Sequence, residues 1–140
     1  MSTPPTSDDW ASAFLATAET QGAGNRARAM VLRRFCDELA TLLGRSGAEA
    51  MFSRAVYLAR QRRPVVAPLI PNVPSSSEEI ADVIERLAAT ESVDASAAVA
   101  GELLLLVAGF IGVELTRRVL ARIRPPATSR PRGDSQEVKK

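Results

Sequence analysis

Apolar residues recur along most of this 140-residue chain at intervals of three and four, the spacing that places them on one face of an α-helix. Runs of β-branched residues are scarce and residues with high helix propensity dominate, so the pattern predicts an all-α fold. Glycines, prolines and capping residues divide the chain into five predicted helices. These helices cover about residues 9–21, 26–43, 46–62, 77–90 and 95–124.

Local signals predict several of the helix ends. Asp8 or Asp9 is expected to cap the first helix, because a short side-chain oxygen can accept hydrogen bonds from the first backbone amides. Gly44 is expected to stop the second helix, since glycine adopts left-handed conformations without steric cost. Ser75 and Ser76 each stand three residues before a glutamate, a capping-box spacing that predicts the start of the fourth helix.

The segment 64–76 contains four prolines, which exclude a regular helix there. Its remaining residues are too apolar for a free linker. We therefore expect an extended segment that crosses the bundle and buries its apolar side chains. Those side chains are Val65, Val66, Leu69, Ile70 and Val73.

The last predicted helix, capped by Asp94, contains eleven consecutive apolar or glycine residues over 103–113 and is apolar around its whole circumference. Such a helix lies either inside a bundle or in a membrane. The run is shorter than the ~20 residues of a typical span, and Glu102 would lie inside a span at a cost of about 2–3 kcal/mol. We therefore predict a central core helix, with a membrane-anchored subunit through 95–113 as the alternative.

The predicted fold is a bundle of about five helices around the apolar C-terminal helix, forming one domain over about residues 8–124. Residues 1–7 are rich in serine, threonine and proline and are predicted to be disordered. Residues 125–140 have no core-forming side chains and are predicted to form a disordered basic tail.

The residues that catalysis most often uses are missing or isolated. The sequence contains no histidine, which removes the commonest metal ligand and the commonest general base. The single cysteine, Cys36, has no disulfide partner and no histidine to activate it, so a structural role is expected. No nucleotide-binding or hydrolase motif is present. We therefore predict no enzymatic activity, no metal and no cofactor.

Two features indicate where the protein works. A lone cysteine is typical of a reducing compartment, and residues 1–10 lack the basic and apolar regions of a signal peptide. We therefore expect a cytoplasmic protein. Arginine greatly outnumbers lysine and alanine is abundant, a composition that favours a bacterial genome rich in G and C.

Charge is unevenly distributed along the chain, although the formal net charge is only +2. Residues 26–63 carry nine arginines against three acids, whereas residues 64–102 carry seven acids and one arginine. The simplest interpretation is that basic and acidic helices lie side by side and complement one another. A nucleic-acid-associated protein that uses the arginines of the second and third helices is the alternative. Nucleic acid is disfavoured, because the third helix offers few polar side chains to contact base edges.

Two stretches resemble a group of small bacterial helical proteins. Residues 110–120, FIGVELTRRVL, resemble the C-terminal signature of that group, and residues 43–48, LGRSGA, resemble its middle. No activity is known for the group. The resemblance covers part of the chain and implies an all-helical fold of this size, without functional residues to carry over.

The sequence thus predicts a protein that acts through its surface: a non-catalytic protein–protein interaction module such as an adaptor, regulatory or assembly subunit. A protein partner of unknown identity is expected. Self-association as a homodimer is expected too, because short amphipathic helices would leave part of the last helix bare. The candidate interaction residues are Leu105, Phe110, Val113, Arg26, Arg33, Arg34, Arg60, Arg62 and Arg63.

Overall fold

The computed structural model describes residues 3–22 and 24–123, which form six α-helices and, within those ranges, no β-strand. The predicted all-α class is confirmed. The helix boundaries differ from the five predicted, because the apolar C-terminal helix is broken and the proline-rich segment contains a helical turn. In chain order the helices are α1 (Ser7–Gln21), α2 (Asn25–Arg62), α3 (Val66–Leu69), α4 (Ser77–Ala89), α5 (Val93–Ile111) and α6 (Val113–Ile123).

Hydroxyl side chains cap α1 and α5. The Thr6 hydroxyl accepts a hydrogen bond from the Asp9 amide at 3.2 Å, and the Asp9 carboxylate accepts one from the Thr6 amide at 2.9 Å. Ser92 caps α5 by accepting from a backbone amide one turn later. The predicted caps, Asp8 or Asp9 for the first helix and Asp94 for the last, were wrong because a hydroxyl residue shortly before them takes that position.

α2 is interrupted at Gly44, where φ is 83° and ψ is 162°. This region of backbone space is essentially restricted to glycine. The predicted stop at Gly44 is confirmed, and it divides α2 into a first arm (residues 25–43) and a second arm (residues 45–62). The second arm begins directly after the kink, one residue before the predicted start at about residue 46. Within it, Glu49 accepts a hydrogen bond from the Ser77 hydroxyl at the start of α4.

The proline-rich segment is not extended throughout, which corrects the prediction for 64–76. One helical turn, α3, lies inside it, and the Ile70 amide donates to the Val66 oxygen at 2.8 Å. Pro68 is tolerated there because an amide in the first turn of a helix has no acceptor within that helix. The expected burial of apolar side chains is confirmed for Val66 and Ile70, which are 0% and 1% exposed. Leu69 and Val73 are half-buried, and the prediction was wrong for Val65, which is 37% exposed.

The apolar C-terminal helix is also broken, at Gly112, which corrects the prediction of one helix over 95–124. Gly112 has φ of 96° and ψ of 153°, again in the region that favours glycine. Its amide donates to the Ala108 oxygen at 2.9 Å and closes α5, while its own oxygen accepts from the Thr116 amide at 3.1 Å and opens α6. The Thr116 hydroxyl donates to the same oxygen at 2.7 Å.

Beyond this break α6 turns back along α1. The Arg117 guanidinium carbon lies 5.5 Å from the centroid of the Trp10 ring, near the start of both helices. At their far ends the Gln21 side-chain amide donates to the Ile123 oxygen at 2.7 Å. These two contacts make α1 and α6 parallel neighbours. At the α5–α6 turn itself, Gly109, Phe110 and Gly112 are exposed.

α5 lies at the centre of the fold, as predicted, and packs against α1, α2 and α6. Its approach to α1 is close, because a Cβ on Gly101 would lie 2.5 Å from the Ser7 backbone oxygen. α4 packs mainly on α2. It begins at the predicted cap Ser76, whose hydroxyl accepts from the Glu79 amide at 3.2 Å.

The predicted termini are described only in part. Thr6 and Ser7, within the segment 1–7 that was predicted to be disordered, form the cap and the first residue of α1. Residues 1 and 2 lie outside the described residues. The whole predicted basic tail, residues 125–140, lies outside them as well.

Candidate interaction surface

The outer corner of the α5–α6 turn carries the most exposed large apolar side chain of the described chain. Phe110, in the last turn of α5, is 66% exposed. Leu115 on α6 is 40% exposed, and Leu106, Ile111 and Val113 are half-buried. We call these five residues the apex. The apex lies between α5, which ends at Gly112, and α6, which packs on the bundle through its buried residues. It is therefore held to the bundle by a packed helix on each side.

The three predicted residues of the C-terminal helix lie around this corner. Phe110 and Val113 flank the Gly112 break, and Phe110 is exposed. Leu105 and Val113 are half-buried, and both pack against the hydrophobic core. Leu105 therefore contributes chiefly to the core, and Phe110 is the residue of the three that a partner can reach most fully.

Two of the predicted arginines are engaged in ion pairs at the end of α2. The Arg62 guanidinium lies 3.2 Å from a carboxylate oxygen of Glu102, whose side chain is only 5% exposed. The Arg63 guanidinium lies 2.6 Å from a carboxylate oxygen of Asp8, and both of these side chains are exposed. Arg62 thus supplies the cation for a buried acid of α5, which removes it from the set of free surface arginines.

The remaining predicted arginines are divided between the two arms of α2. Arg26, Arg33 and Arg34 are exposed on the first arm. Arg60 is half-buried on the second arm, and its Nε atom is buried with no hydrogen-bond partner among the described residues. The kink at Gly44 separates these two sets along the chain.

Pairing between the basic helices and acidic α4 was expected, and the structure arranges the charges differently. Besides the two pairs of α2, Arg122 of α6 lies 3.3 Å from Glu38 of the first arm. Within residues 3–22 and 24–123, no acid of α4 forms an ion pair. Arg62 and Arg63 are therefore paired with acids of α5 and α1, and the acids of α4 remain on a solvated face.

A second feature, which the sequence did not predict, lies on the concave side of the Gly44 kink. The first and second arms and α4 enclose a groove of about 310 Å³, which we call the elbow groove. Four charged residues line it: Arg33, Asp37, Arg45 and Glu49. Its apolar lining consists of Ala40, Ala48, Phe52, Ile80, Ala81 and Ile84.

Cys36 is half-buried in the lining of the elbow groove. Burial raises the pKa of its thiol to about 12, the Asp37 carboxylate adds to the rise, and Arg33 opposes it. The thiolate is the nucleophilic form of cysteine, and it is scarce at neutral pH with such a pKa. Cys36 therefore behaves as a small apolar residue of the groove, in line with the structural role expected for it.

Two further grooves of the described chain lie beside α1. One of about 310 Å³ between α1 and α6 is lined by Trp10, Arg117 and several small side chains. Another of about 260 Å³ between α1 and α5 contains Glu102, Asp8 and Arg63, which belong to the ion pairs already described. Across residues 3–22 and 24–123, no group of three acids or cysteines has the geometry of a metal site.

α5 is also long and apolar enough to cross a membrane when judged by length and composition alone. The helix has 19 residues, and a stretch of 18 of them has a mean hydropathy of 1.7. Of the residues in that stretch, 61% are buried inside the protein. Glu102 lies within this helix and is paired with Arg62. α5 is thus the core helix of this fold, and its apolar surface is used mainly for packing.

No family model matches the chain, and no curated protein or solved structure shows significant similarity to it. Its function is therefore inferred from its own surfaces. The elbow groove and the apex are the two surfaces that stand out, and each lies at a glycine break.

Proposed function

We propose that this protein is a non-catalytic protein–protein interaction module, an adaptor, regulatory or assembly subunit, whose main docking surface is the apex. The exposure of Phe110 carries the proposal, because at 66% it is higher than that of any other large apolar side chain among the described residues. Aromatic residues are common anchors of protein interfaces, where a few side chains supply most of the binding free energy.

The geometry of the apex suits this role. Phe110 lies in the last turn of a helix, and the turn after it is closed by three hydrogen bonds of Gly112. A side chain presented on such a rigid frame loses little backbone entropy on binding. Burying a phenylalanine side chain contributes about 1.5–3 kcal/mol, and the half-buried neighbours would extend the contact.

We further propose that this interaction takes place in the cytoplasm of a bacterium. Two observations support the location: the chain has one cysteine, which makes no disulfide, and its arginine- and alanine-rich composition is typical of GC-rich bacterial genomes. The absence of histidine and the raised pKa of the Cys36 thiol support a role without catalysis.

Membrane attachment is the second candidate function, because α5 meets the length and hydropathy of a spanning helix. To insert, α5 would have to leave α1 and α2 and expose Glu102 to lipid after breaking its pair with Arg62. Both changes cost free energy, so the protein-docking function is preferred.

Site-specific photo-cross-linking tests the proposed function. A photoreactive phenylalanine analogue is placed at Phe110, and at Val93 as a control, since Val93 is 41% exposed at the opposite end of α5. In cells of the source organism, position 110 should cross-link to one protein, identified by mass spectrometry, or to a second copy of the chain. Position 93 should not give that product.

The cross-link must also depend on the apex in a separate binding measurement. The identified protein should bind the purified native chain, and Phe110→Asp should weaken that binding while leaving the thermal midpoint unchanged. If position 110 cross-links only to lipid, membrane attachment is favoured instead. If it gives no product that position 93 lacks, the apex is not a docking surface and the proposal is wrong.

A further inference from the structure

The groove between α1 and α6 contains a buried hydrogen-bond donor that the described chain does not satisfy. Trp10 lines this groove, and its Nε1 atom is buried without a hydrogen-bond partner among the described residues. The side chain as a whole is only 2% exposed, so bulk water is excluded from most of its surface. An unpaired N–H in such a place is unfavourable, and a ligand that brings an acceptor to it gains the free energy of that hydrogen bond.

A second donor lies beside the indole. The Arg117 guanidinium carbon is 5.5 Å from the centroid of the Trp10 ring, and within residues 3–22 and 24–123 no acid forms an ion pair with it. Arg117 is exposed, so its side chain can move to admit a ligand without disturbing the core. Because Nε1 belongs to the ring beside the guanidinium, one group with two oxygen atoms can contact both donors. A carboxylate is such a group, and arginine binds carboxylates through paired N–H donors.

The acid in the lining is already engaged. Asp9 lines the groove, but its carboxylate accepts a hydrogen bond from the Thr6 amide at 2.9 Å as part of the α1 cap. Glu114, one turn before Arg117 on α6, is not part of the lining. Arg117 is thus the charged group of the lining that is free to bind a ligand. The parallel helices α1 and α6 both begin at this end of the groove, where the positive ends of their dipoles favour an anion.

The rest of the groove is narrow and mainly apolar. From Trp10 to Thr17, which also lines it, the groove follows α1 for seven residues, a rise of about 10 Å. Its volume of about 310 Å³ lies at the lower end of the range of small-ligand pockets, which is about 300–1,000 Å³. The apolar side chains of the lining are Pro5, Ala13, Ala16, Leu120 and Ala121. A short hydrocarbon body attached to a carboxylate fits these dimensions.

We propose that the groove between α1 and α6 binds a small organic acid. Its carboxylate accepts hydrogen bonds from the Trp10 indole N–H and the Arg117 guanidinium, and its hydrocarbon body lies against the alanines of the two helices. This site goes beyond the proposed function, because Phe110 is not part of its lining and the ligand is a small molecule instead of a protein.

The chain carries its own reporter for this site. Trp10 is the single tryptophan of the sequence, so intrinsic fluorescence arises from the lining of the groove. Hexanoate is a suitable probe, because it joins a carboxylate to a hydrocarbon body of about the length of the groove and does not absorb at the excitation wavelength. It should change the emission saturably, with a dissociation constant on the order of 1 mM, as expected for so few atoms.

Two matched compounds separate the parts of the ligand. Hexanamide has the same hydrocarbon body without the charge, and inorganic phosphate has charge without the hydrocarbon body. At constant ionic strength each should bind at least about tenfold more weakly than hexanoate. Equally tight binding of hexanamide would show that the carboxylate is not recognised. Equally tight binding of phosphate would show a general anion site. Either result overturns the assignment.

Two variants of adjacent arginines test the guanidinium. Arg117→Gln should weaken hexanoate binding about tenfold or more, because it removes a charged donor from the groove. Arg118→Gln is the matched control, since Arg118 is also exposed on α6 and does not line the groove. It should leave the affinity unchanged. Equal losses in both variants would indicate attraction by net charge alone and would overturn the site.

The indole N–H is tested without changing the protein. In proton NMR spectra of the native chain, the Nε1–H resonance of Trp10 should move downfield as hexanoate is added, because a hydrogen bond to a carboxylate deshields the proton. Hexanamide should shift it much less at the same concentration. Binding of hexanoate that leaves this resonance in place would show that the indole donor is not part of the site. If up to about 20 mM hexanoate produces no saturable change in emission, the inference is wrong.

Discussion

Glycine breaks a helical region of this chain at two places: inside α2 at Gly44, and between α5 and α6 at Gly112. The backbone adopts nearly the same conformation at both glycines. Their φ values are 83° and 96° and their ψ values 162° and 153°. At neither position would a Cβ meet another atom within 4 Å. The local backbone conformation alone therefore requires glycine at both positions.

The two breaks differ in what packs around them. α4 lies on α2 at the first break and helps to enclose a concave groove, with Phe52 buried at 0% exposure in its lining. The outer corner of the second break is left open, and Phe110 remains exposed there. The same glycine conformation thus borders a groove at Gly44, where α4 packs against the break. At Gly112 it leaves Phe110 exposed.

The largest expected effect is a contrast between these two phenylalanines. Phe52→Ala should destabilise the fold by about 3–5 kcal/mol, because it removes a fully buried side chain and leaves a cavity. Phe110→Ala should change stability by less than about 0.5 kcal/mol, since the side chain is mostly in solvent already. Chemical denaturation of both variants measures the difference. Similar losses would show that Phe110 supports the core.

A second expected effect concerns Cys36 at the elbow groove. Because burial raises the pKa of its thiol to about 12, the thiolate fraction at pH 8 should be about a thousandfold lower than for an ordinary cysteine. Alkylation of the native chain should therefore be slow and should accelerate about tenfold per pH unit up to that pKa. The urea-unfolded chain is the control. Equally fast alkylation of native and unfolded chains at pH 8 would contradict a buried thiol.

The helical class and several boundaries were readable from the sequence because they depend on local chemistry. α4 was predicted closely, since its apolar stripe and its serine cap lie within one short segment. Gly44 was predicted as a break because it follows the last apolar residues of one helical stripe and glycine adopts left-handed conformations without steric cost. Periodicity and caps are properties of neighbouring residues, so one sequence suffices to find them.

The second break was missed because its surroundings hide it. Gly112 lies inside the run 103–113, in which every residue is apolar or glycine, so no change of stripe marks the turn. Glu114 in the first turn of the new helix was the available signal, since an acid is favoured at a helix start.

Long-range arrangements could not be read from one sequence. The Arg62–Glu102 pair joins residues from helices that are distant along the chain, and nothing local indicates it. The elbow groove also needs residues from both arms and from α4. The exposure of Phe110 depends on the direction in which α6 returns, which follows from packing on α1.

Replacing each glycine tests whether the two breaks are equivalent. Gly44→Ala and Gly112→Ala should each cost about 1–3 kcal/mol, because an L-residue is strained in this backbone region. Gly109→Ala is the matched control, since Gly109 lies in the regular part of α5 with nothing near its Cβ position. It should stabilise the chain by about 0.5–1 kcal/mol. If all three variants were more stable than the native chain, the backbone conformation at Gly44 and Gly112 would not require glycine.

The smallest expected effect concerns the ion pair that links the two broken helices, the second arm of α2 and α5. Arg62→Ala leaves the nearly buried Glu102 carboxylate without its cation and should cost about 1–2 kcal/mol, a value reduced by the exposure of Arg62. Arg63→Ala breaks an exposed pair next to it and should cost less than about 0.5 kcal/mol. In a Glu102→Leu background no buried charge remains, so Arg62→Ala should become as mild as Arg63→Ala. Urea denaturation of these variants completes a double-mutant cycle. An unchanged cost of Arg62→Ala in the Glu102→Leu background would show that the arginine acts through packing of its aliphatic stem instead of through its charge.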